Sequence, residues 1–152
     1  MKKLVVYFSV EYMETKKYAE ALSKELSSDI VEIVPMVPYT KADINWRNPL
    51  SRCNKEFFGK KEVPAKTTIE NVSEYDEIYV GFPIWYGCAP LVVNAFLSKL
   101  DLNGKKIYVF ATSGGSGIGK TAQKLEPFTH GAEIVDAKVF RNIDELISWA
   151  KK

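Results

Sequence analysis

Lys106-Ile107-Tyr108-Val109-Phe110-Ala111-Thr112-Ser113-Gly114-Gly115-Ser116-Gly117-Ile118-Gly119-Lys120-Thr121 is the stretch on which the fold turns. Its first half is apolar, β-branched and aromatic, the composition of a strand covered on both faces. Its second half is a glycine-rich turn that leads into helix-like sequence. A turn between strand and helix offers backbone N–H groups and a positive helix end, which suits an anionic or strongly hydrogen-bonding ligand. As a bare pattern, Gly114-x-x-x-x-Gly119-Lys120-Thr121 also satisfies the P-loop formula of nucleotide-binding proteins. The elements on either side have to choose between a phosphate cradle and a wall of some other site.

Working outward, strands and helices alternate. Upstream, Lys3–Ser9 is a nearly unbroken apolar run and reads as the first strand. Val10–Thr15 reads as a turn, followed by a helix to about Ser27 with Tyr18, Ala19, Leu22 and Leu26 at helical spacing. Asp29–Pro35 is a short second strand. The stretch 39–68, with Trp46, Pro49, Gly59 and Pro64, shows no sustained period, and a short helix is expected near Ser51–Phe57. Glu77–Phe82 is the third strand, and Pro83–Ala89 is the loop after it. Pro90 suits the first turn of a helix that runs to Leu100 and turns Leu91, Val92, Ala95, Phe96 and Leu100 inward. Downstream of the glycine stretch, a helix to about Pro127 precedes a fifth strand within Ala132–Phe140. Asn142 with Glu145 three residues on caps a last helix that buries Ile143, Leu146, Ile147 and Ala150. This alternation predicts one α/β domain over residues 1–152, with a parallel sheet covered by helices on both faces.

The composition narrows the function. In 152 residues, 46% are hydrophobic and 26% charged, as in an ordinary globular domain. The net charge of +2, with both signs mixed along the chain, gives no basic patch and so no case for nucleic acid. Cys53 and Cys88 have no metal-ligand spacing and read as reduced thiols of a cytoplasmic protein. His130 is the only histidine, which leaves little for a histidine metal site or a catalytic triad. The basic, then apolar N-terminus is too short for a signal sequence and meets Glu11 and Glu14 at once. No apolar run is long enough to span a membrane.

In an open parallel sheet, ligands bind beyond the carboxyl ends of the strands where strand order reverses. Five strands in the order 2-1-3-4-5 bring three loops together there: Ser9–Thr15, Pro83–Ala89 and Thr112–Gly117. The first bears hydroxyls, the second is aromatic, and the third combines glycines with hydroxyls. Trp85 and Tyr86 can cover the faces of a planar heteroaromatic ring. Gly87, Gly114 and Gly115 let the backbone approach its edge.

Three motifs then make the chain resemble the flavodoxin family, in particular short bacterial flavodoxin-like proteins. They are Tyr7-Phe8-Ser9 leading to Thr15-Lys16-Lys17-Tyr18-Ala19-Glu20, then Gly81-Phe82-Pro83-Ile84-Trp85-Tyr86-Gly87-x-Ala89-Pro90, then Thr112-Ser113-Gly114-Gly115-Ser116-Gly117-Ile118-Gly119. Ala42-Asp43-Ile44-Asn45-Trp46 and Ser51-Arg52 also resemble that group's long second crossover. The resemblance implies a three-layer flavodoxin-like sandwich and non-covalent FMN that carries one or two electrons. It implies that Ser9, Glu11 and Thr15 belong to the phosphate loop. Pro83, Ile84, Trp85, Tyr86 and Gly87, with Thr112, Ser113, Gly114, Gly115 and Gly117, would bracket the ring. None of these is a bond-making catalyst; all are binding groups.

The first loop departs from the family's usual Ser-x-Thr-Gly-Asn-Thr. Ser9-Val10-Glu11-Tyr12-Met13-Glu14-Thr15 keeps only Ser9 and Thr15, loses the glycine and asparagine, and gains two carboxylates. Glu11 or Glu14 beside a phosphate would repel it and compete for the helix end, which Lys16 and Lys17 offset in part. This predicts weakened or altered phosphate contact.

Three functions therefore compete. The first is an FMN-binding redox protein, either an electron carrier or a small FMN-dependent NAD(P)H oxidoreductase, serving a protein redox partner or a small-molecule acceptor such as a quinone. The second is a flavodoxin-like module whose flavin binding is weakened or lost and which acts as an interaction domain. The third is a P-loop nucleotide binder. It is disfavoured because the loop follows the fourth strand, leaving only Asp136 on an edge strand as a Mg²⁺ ligand. Gly117-x-Gly119-x-x-Ala122 fails as a dinucleotide fingerprint for the same positional reason. Within the flavin reading, a charge of +2 lacks the acidic field that steers carriers of this family toward basic partners. Oligomeric state is left open.

Overall fold

The computed structural model describes residues 2–9, 15–35, 65, 67, 69, 71–84, 89–112, 118, 121–129 and 131–151. Along the chain these form β1 (Lys3–Tyr7), α1 (Thr15–Leu26), β2 (Asp29–Glu32), β3 (Glu77–Pro83), α2 (Leu91–Ser98), β4 (Lys106–Thr112), α3 (Thr121–Leu125), β5 (Glu133–Val139) and α4 (Ile143–Ala150). The helix expected near Ser51–Phe57 lies outside the described residues.

All five strands are parallel, in the expected order β2-β1-β3-β4-β5. The sheet is buried on both sides at its centre, where every residue of β3 is buried. One face carries Leu4, Val6, Ile78, Val80, Ile107 and Val109 against Val92, Val93, Phe96 and Leu97 of α2. The other carries Val5, Tyr7, Tyr79 and Phe110 against Tyr18, Ala19 and Leu22 of α1 and Leu146 of α4. Successive residues alternate between faces with the two-residue period of the pleat, so the apolar runs feed both cores. Helices on both faces make three layers.

Several boundaries differ from the sequence reading, each for a local reason. The β2 ladder ends at Glu32 instead of Pro35: the Ile33 N–H still reaches the Tyr7 carbonyl at 2.6 Å, but the Val34 N–H turns to Thr67. Thr67 substitutes for the ladder: its hydroxyl accepts from the Val34 N–H at 2.7 Å and donates to the Glu32 carbonyl at 2.8 Å. Pro35 instead forms an isolated antiparallel bridge with Ala65. Pro90 sits just outside α2 as its N-cap, with ψ of 144°, instead of inside the first turn. The helix expected to reach Pro127 is α-helical only to Leu125 and then tightens to a 3₁₀ turn over Glu126–Phe128. In α4 only Leu146 is fully buried, while Ile143, Ile147 and Ala150 are partly covered.

Two caps follow from side-chain chemistry. Asn142 accepts the Glu145 N–H on its Oδ1 at 2.9 Å, as its spacing predicts. Helix α1 ends on Ser27 in the left-handed region, with φ of 51°. The Ser28 N–H then returns to the Ser23 carbonyl at 3.0 Å. Lys151 and Glu25, 2.7 Å apart, tie α4 to α1 at the surface.

Candidate functional site

The site is defined by where the central strands stop. Tyr7 of β1 pairs with Gly81, Gly81 pairs with Phe110, and Pro83 pairs with Thr112. The carboxyl ends of β1, β3 and β4 therefore lie side by side. Two further hydrogen bonds extend the ladder past the strands: Phe8 N–H to the Gly81 carbonyl at 2.9 Å, and Ile84 N–H to the Thr112 carbonyl at 2.8 Å. Strand order reverses between β1 and β3, since β1 leads to β2 on one side and β3 to β4 on the other. A crevice opens at such a reversal.

Gly81 allows β3 to lie this close. A Cβ there would come within 2.2 Å of the Phe110 ring, so the glycine is a space requirement imposed by its neighbour. Tyr7, the last residue of β1, is buried beneath α1. Burial, with Glu32 and Glu20 adding to it, pushes its phenol up to about 12. It packs in the core against Tyr18, Ala19 and Leu22.

Ser9, Thr15, Pro83, Ile84 and Thr112 are all brought to this edge. Ser9 is half-buried, and its Oγ accepts the Lys16 N–H at 3.3 Å, which occupies one free donor at the start of α1. Thr15, the first residue of α1, is fully buried, and Thr112, the last of β4, is nearly so. Their hydroxyls are 2.7 Å apart. The first turn of α1 carries no acidic residue, and Lys16 and Lys17 are exposed on it. Glu11, Trp85, Tyr86, Gly87, Ser113, Gly114, Gly115 and Gly117 lie outside the described residues, as do Glu14, Gly119 and Lys120.

Asp136, the candidate metal aspartate of the nucleotide reading, is committed elsewhere. Its Oδ2 accepts the indole N–H of Trp149 at 2.8 Å and its Oδ1 accepts the Ala137 N–H at 2.8 Å. Oδ2 thus ties α4 to β5, while Oδ1 serves the strand's own backbone. The Thr15–Thr112 contact and the Gly81–Phe110 fit were not visible in local sequence, because they join residues that only the topology brings together.

Comparison with known proteins agrees with this geometry. A crystal structure of a candidate flavoprotein from Bacteroides eggerthii is similar at 35% identity and a TM-score of 0.89, covering 99% of this chain and 96% of that one. A flavoprotein from Lactobacillus acidophilus, crystallised in complex with FMN, shares the fold at 23% identity and a TM-score of 0.72, with 98% of each chain covered. An uncharacterized protein of Methanocaldococcus jannaschii is 29% identical over 114 residues, which is 75% of this chain and only 55% of that protein. The chain thus spans about half the length of that curated relative. The flavodoxin family model matches residues 2–152, and with this strand order the chain belongs to the flavodoxin family.

Proposed function

We propose that the chain binds FMN non-covalently at the carboxyl edge of the sheet and works as a small flavin-dependent redox protein. The observation that carries this reading is the convergence of the β1, β3 and β4 ends at the strand-order reversal in a member of the flavodoxin family. A relative with the same fold was crystallised with FMN. The start of α1 suits a phosphate dianion: it has no carboxylate in its first turn, it has two exposed lysines, and its N–H groups point out of the helix end. In this reading Ser9, Glu11 and Thr15 lie on the phosphate side. Pro83–Gly87 and Thr112–Gly117 bracket the ring.

Bound FMN supplies the electron chemistry; the chain supplies position and electrostatics. Ile84 N–H, held on the Thr112 carbonyl, fixes the second loop to the third at their roots. Tyr7 stays protonated and adds no charge beside the crevice. A net charge of +2 provides no strong field for steering a basic protein partner. This favours a reductase that takes electrons from NAD(P)H and passes them to a small acceptor of the quinone class over a charge-steered carrier.

Reconstitution tests the reading. The purified chain, incubated with FMN and desalted, should retain yellow colour and show saturable quenching of flavin fluorescence. With NADH or NADPH and a soluble quinone it should turn over, with a rate that changes little with ionic strength. Steep loss of electron transfer with salt, to a protein acceptor only, would favour the carrier. A colourless chain that ignores FMN would refute the flavin reading and leave the interaction module.

A further inference from the structure

We infer that the open edge of β5 is a strand-addition surface that fits a second copy of this chain, and that the Asp136 carboxylate keeps it closed. β5 is the last strand of the sheet: one edge pairs with β4, and the other has no strand beside it among the described residues. Glu133 N–H reaches the Lys105 carbonyl at 2.9 Å, and Phe140 N–H reaches the Ala111 carbonyl at 2.9 Å. In a parallel ladder only alternate residues engage a given neighbour. Lys138 therefore faces β4 together with Phe140, while Ala137 and Val139 turn their backbone groups to the open edge. Ile134, next to Glu133, does the same. Such a row is a template for another strand.

Asp136 closes the row at its middle. Its Oδ1 accepts the Ala137 N–H at 2.8 Å, and its Oδ2 is held by the Trp149 indole N–H at 2.8 Å. The carboxylate is thus fixed between strand and helix, and it occupies the donor that an added strand would need. The register shift opposite Ile107 and Tyr108, which skips Val135, breaks the edge beside it. The sequence of the edge selects the partner. With a second β5 set antiparallel about a two-fold axis between Val135 and Asp136, Glu133 lies opposite Lys138 at both ends. Both of these side chains are exposed. Ile134 then lies opposite Ala137, and these are the residues whose backbone groups face outward, so the Ala137 N–H would donate to the Ile134 carbonyl of the second copy. Two opposite-charge pairs and two matched backbone pairs make the edge complementary to itself, in the self-paired manner of a two-fold interface. With Asp136 on the Ala137 N–H, the wild-type chain stays single. The inference is independent of the FMN reading.

Sedimentation equilibrium on the full chain tests this. Wild type should keep the monomer mass of 17.2 kDa across a concentration series. Asp136→Ala frees the Ala137 N–H and should move toward twice that mass as concentration rises. Trp149→Phe, which loses the indole donor and leaves Oδ1 on Ala137, should stay a monomer. Asp136→Ala/Lys138→Glu sets glutamate against glutamate and should return to the monomer mass; adding Glu133→Lys restores opposite charges and should restore the dimer. A folded Asp136→Ala that stays monomeric, or a wild type that dimerises, would overturn the guard. A dimer of Trp149→Phe would move the effect to the docking of α4 and overturn it as well. Association of Asp136→Ala that ignores Lys138→Glu would overturn the second copy's β5 as the partner. If Asp136→Ala does not fold, amide hydrogen exchange in wild type decides. The Ala137 N–H should exchange about tenfold more slowly than the Val139 N–H on the same edge, and equal rates would overturn the guard.

Discussion

Gly81→Ala probes how tightly the central strands are fitted beneath the crevice. The added Cβ would lie 2.2 Å from Cζ and 2.3 Å from Cε2 of Phe110, where real Cβ atoms stay beyond 3.0 Å. The obstacle is the ring of a fully buried side chain in the core shared by Val5, Tyr7, Tyr79 and Leu146. To restore ordinary contact the ring has to retreat by about 1 Å into a close-packed interior, and no solvent-facing side is available to it. Overpacking of this kind costs about 1–3 kcal/mol, and the absence of an escape route puts this case at about 3. With a urea slope of about 2 kcal/mol per molar, the unfolding midpoint should fall by about 1.5 M, with the slope unchanged. Phe110→Leu, which removes the offending ring edge, should cost about 1–2 kcal/mol alone. It should also absorb much of the alanine's penalty, giving a coupling of about 1 kcal/mol or more in the double variant. Urea unfolding followed by far-ultraviolet circular dichroism measures all four proteins. A Gly81→Ala midpoint equal to wild type, or strictly additive effects, would show that the glycine is not there to make room for Phe110.

Three further outcomes follow from local geometry. Ser27, at φ of 51°, occupies a conformation that costs an L-residue, so Ser27→Gly should raise stability by about 0.5 kcal/mol and Ser27→Val should lower it, as read by thermal melting. Asn142→Ala removes the acceptor for the Glu145 N–H and should cost about 1 kcal/mol, whereas Asn142→Asp should stay near wild type in the same assay. Burial raises Tyr7 and Tyr79 from 10 to about 12, so above pH 10 the unfolded chain gives up protons that the native chain holds. Their contribution is intact below pH 10 and is lost as pH rises to 12, at no more than about 2.7 kcal/mol per pH unit for the pair. Urea midpoints across that range should fall less steeply in Tyr79→Phe; an equal slope would remove Tyr79 from the account.

What was legible in the sequence follows from what is local. Lys3–Tyr7, Glu77–Pro83 and Lys106–Thr112 carry apolar residues for both faces, so their identity as buried central strands needs no partner information. Asn142 with Glu145 marks its helix start by chemistry confined to four residues. β5 is the contrary case. Ile134, Ala137 and Val139 pack on the same core, yet their spacing breaks the two-residue alternation. The register shifts between Ile107 and Tyr108, pairing Ile107 with Ile134 and Tyr108 with Asp136. Val135 is thereby skipped, and it is 43% exposed. That extra residue changes the phase of the strand and places Ala137 and Val139 on the inner side. It also leaves Asp136 facing the indole N–H of Trp149. A bulge is a property of two strands, so no reading of β5 alone could have found it.

The same distinction runs through the site. Motifs identify Ser9, Thr15 and Thr112 as hydroxyls at strand and helix ends, because composition at a terminus is a local signal. Their roles are set by distance across the sheet. The family resemblance implies Thr15 on the phosphate side and Thr112 on the ring side; the structure joins the two hydroxyls at 2.7 Å in a place solvent does not reach. A buried hydroxyl that lost its partner would keep its desolvation cost, which is why such a pair resists single substitution and tolerates joint replacement. The loop with Glu11 and Glu14 sits between Ser9 and Thr15, one residue already bound to α1 and the other braced to β4. Both ends of that loop are therefore anchored independently of its composition. The loss of the family's glycine and asparagine need not move the end of α1, and if FMN phosphate binds there, as proposed, Glu11 and Glu14 would act on it through charge. Added salt should then narrow any affinity gap between this chain and a Glu11→Gln/Glu14→Gln variant; a gap that salt leaves untouched would mean the loop acts through shape instead.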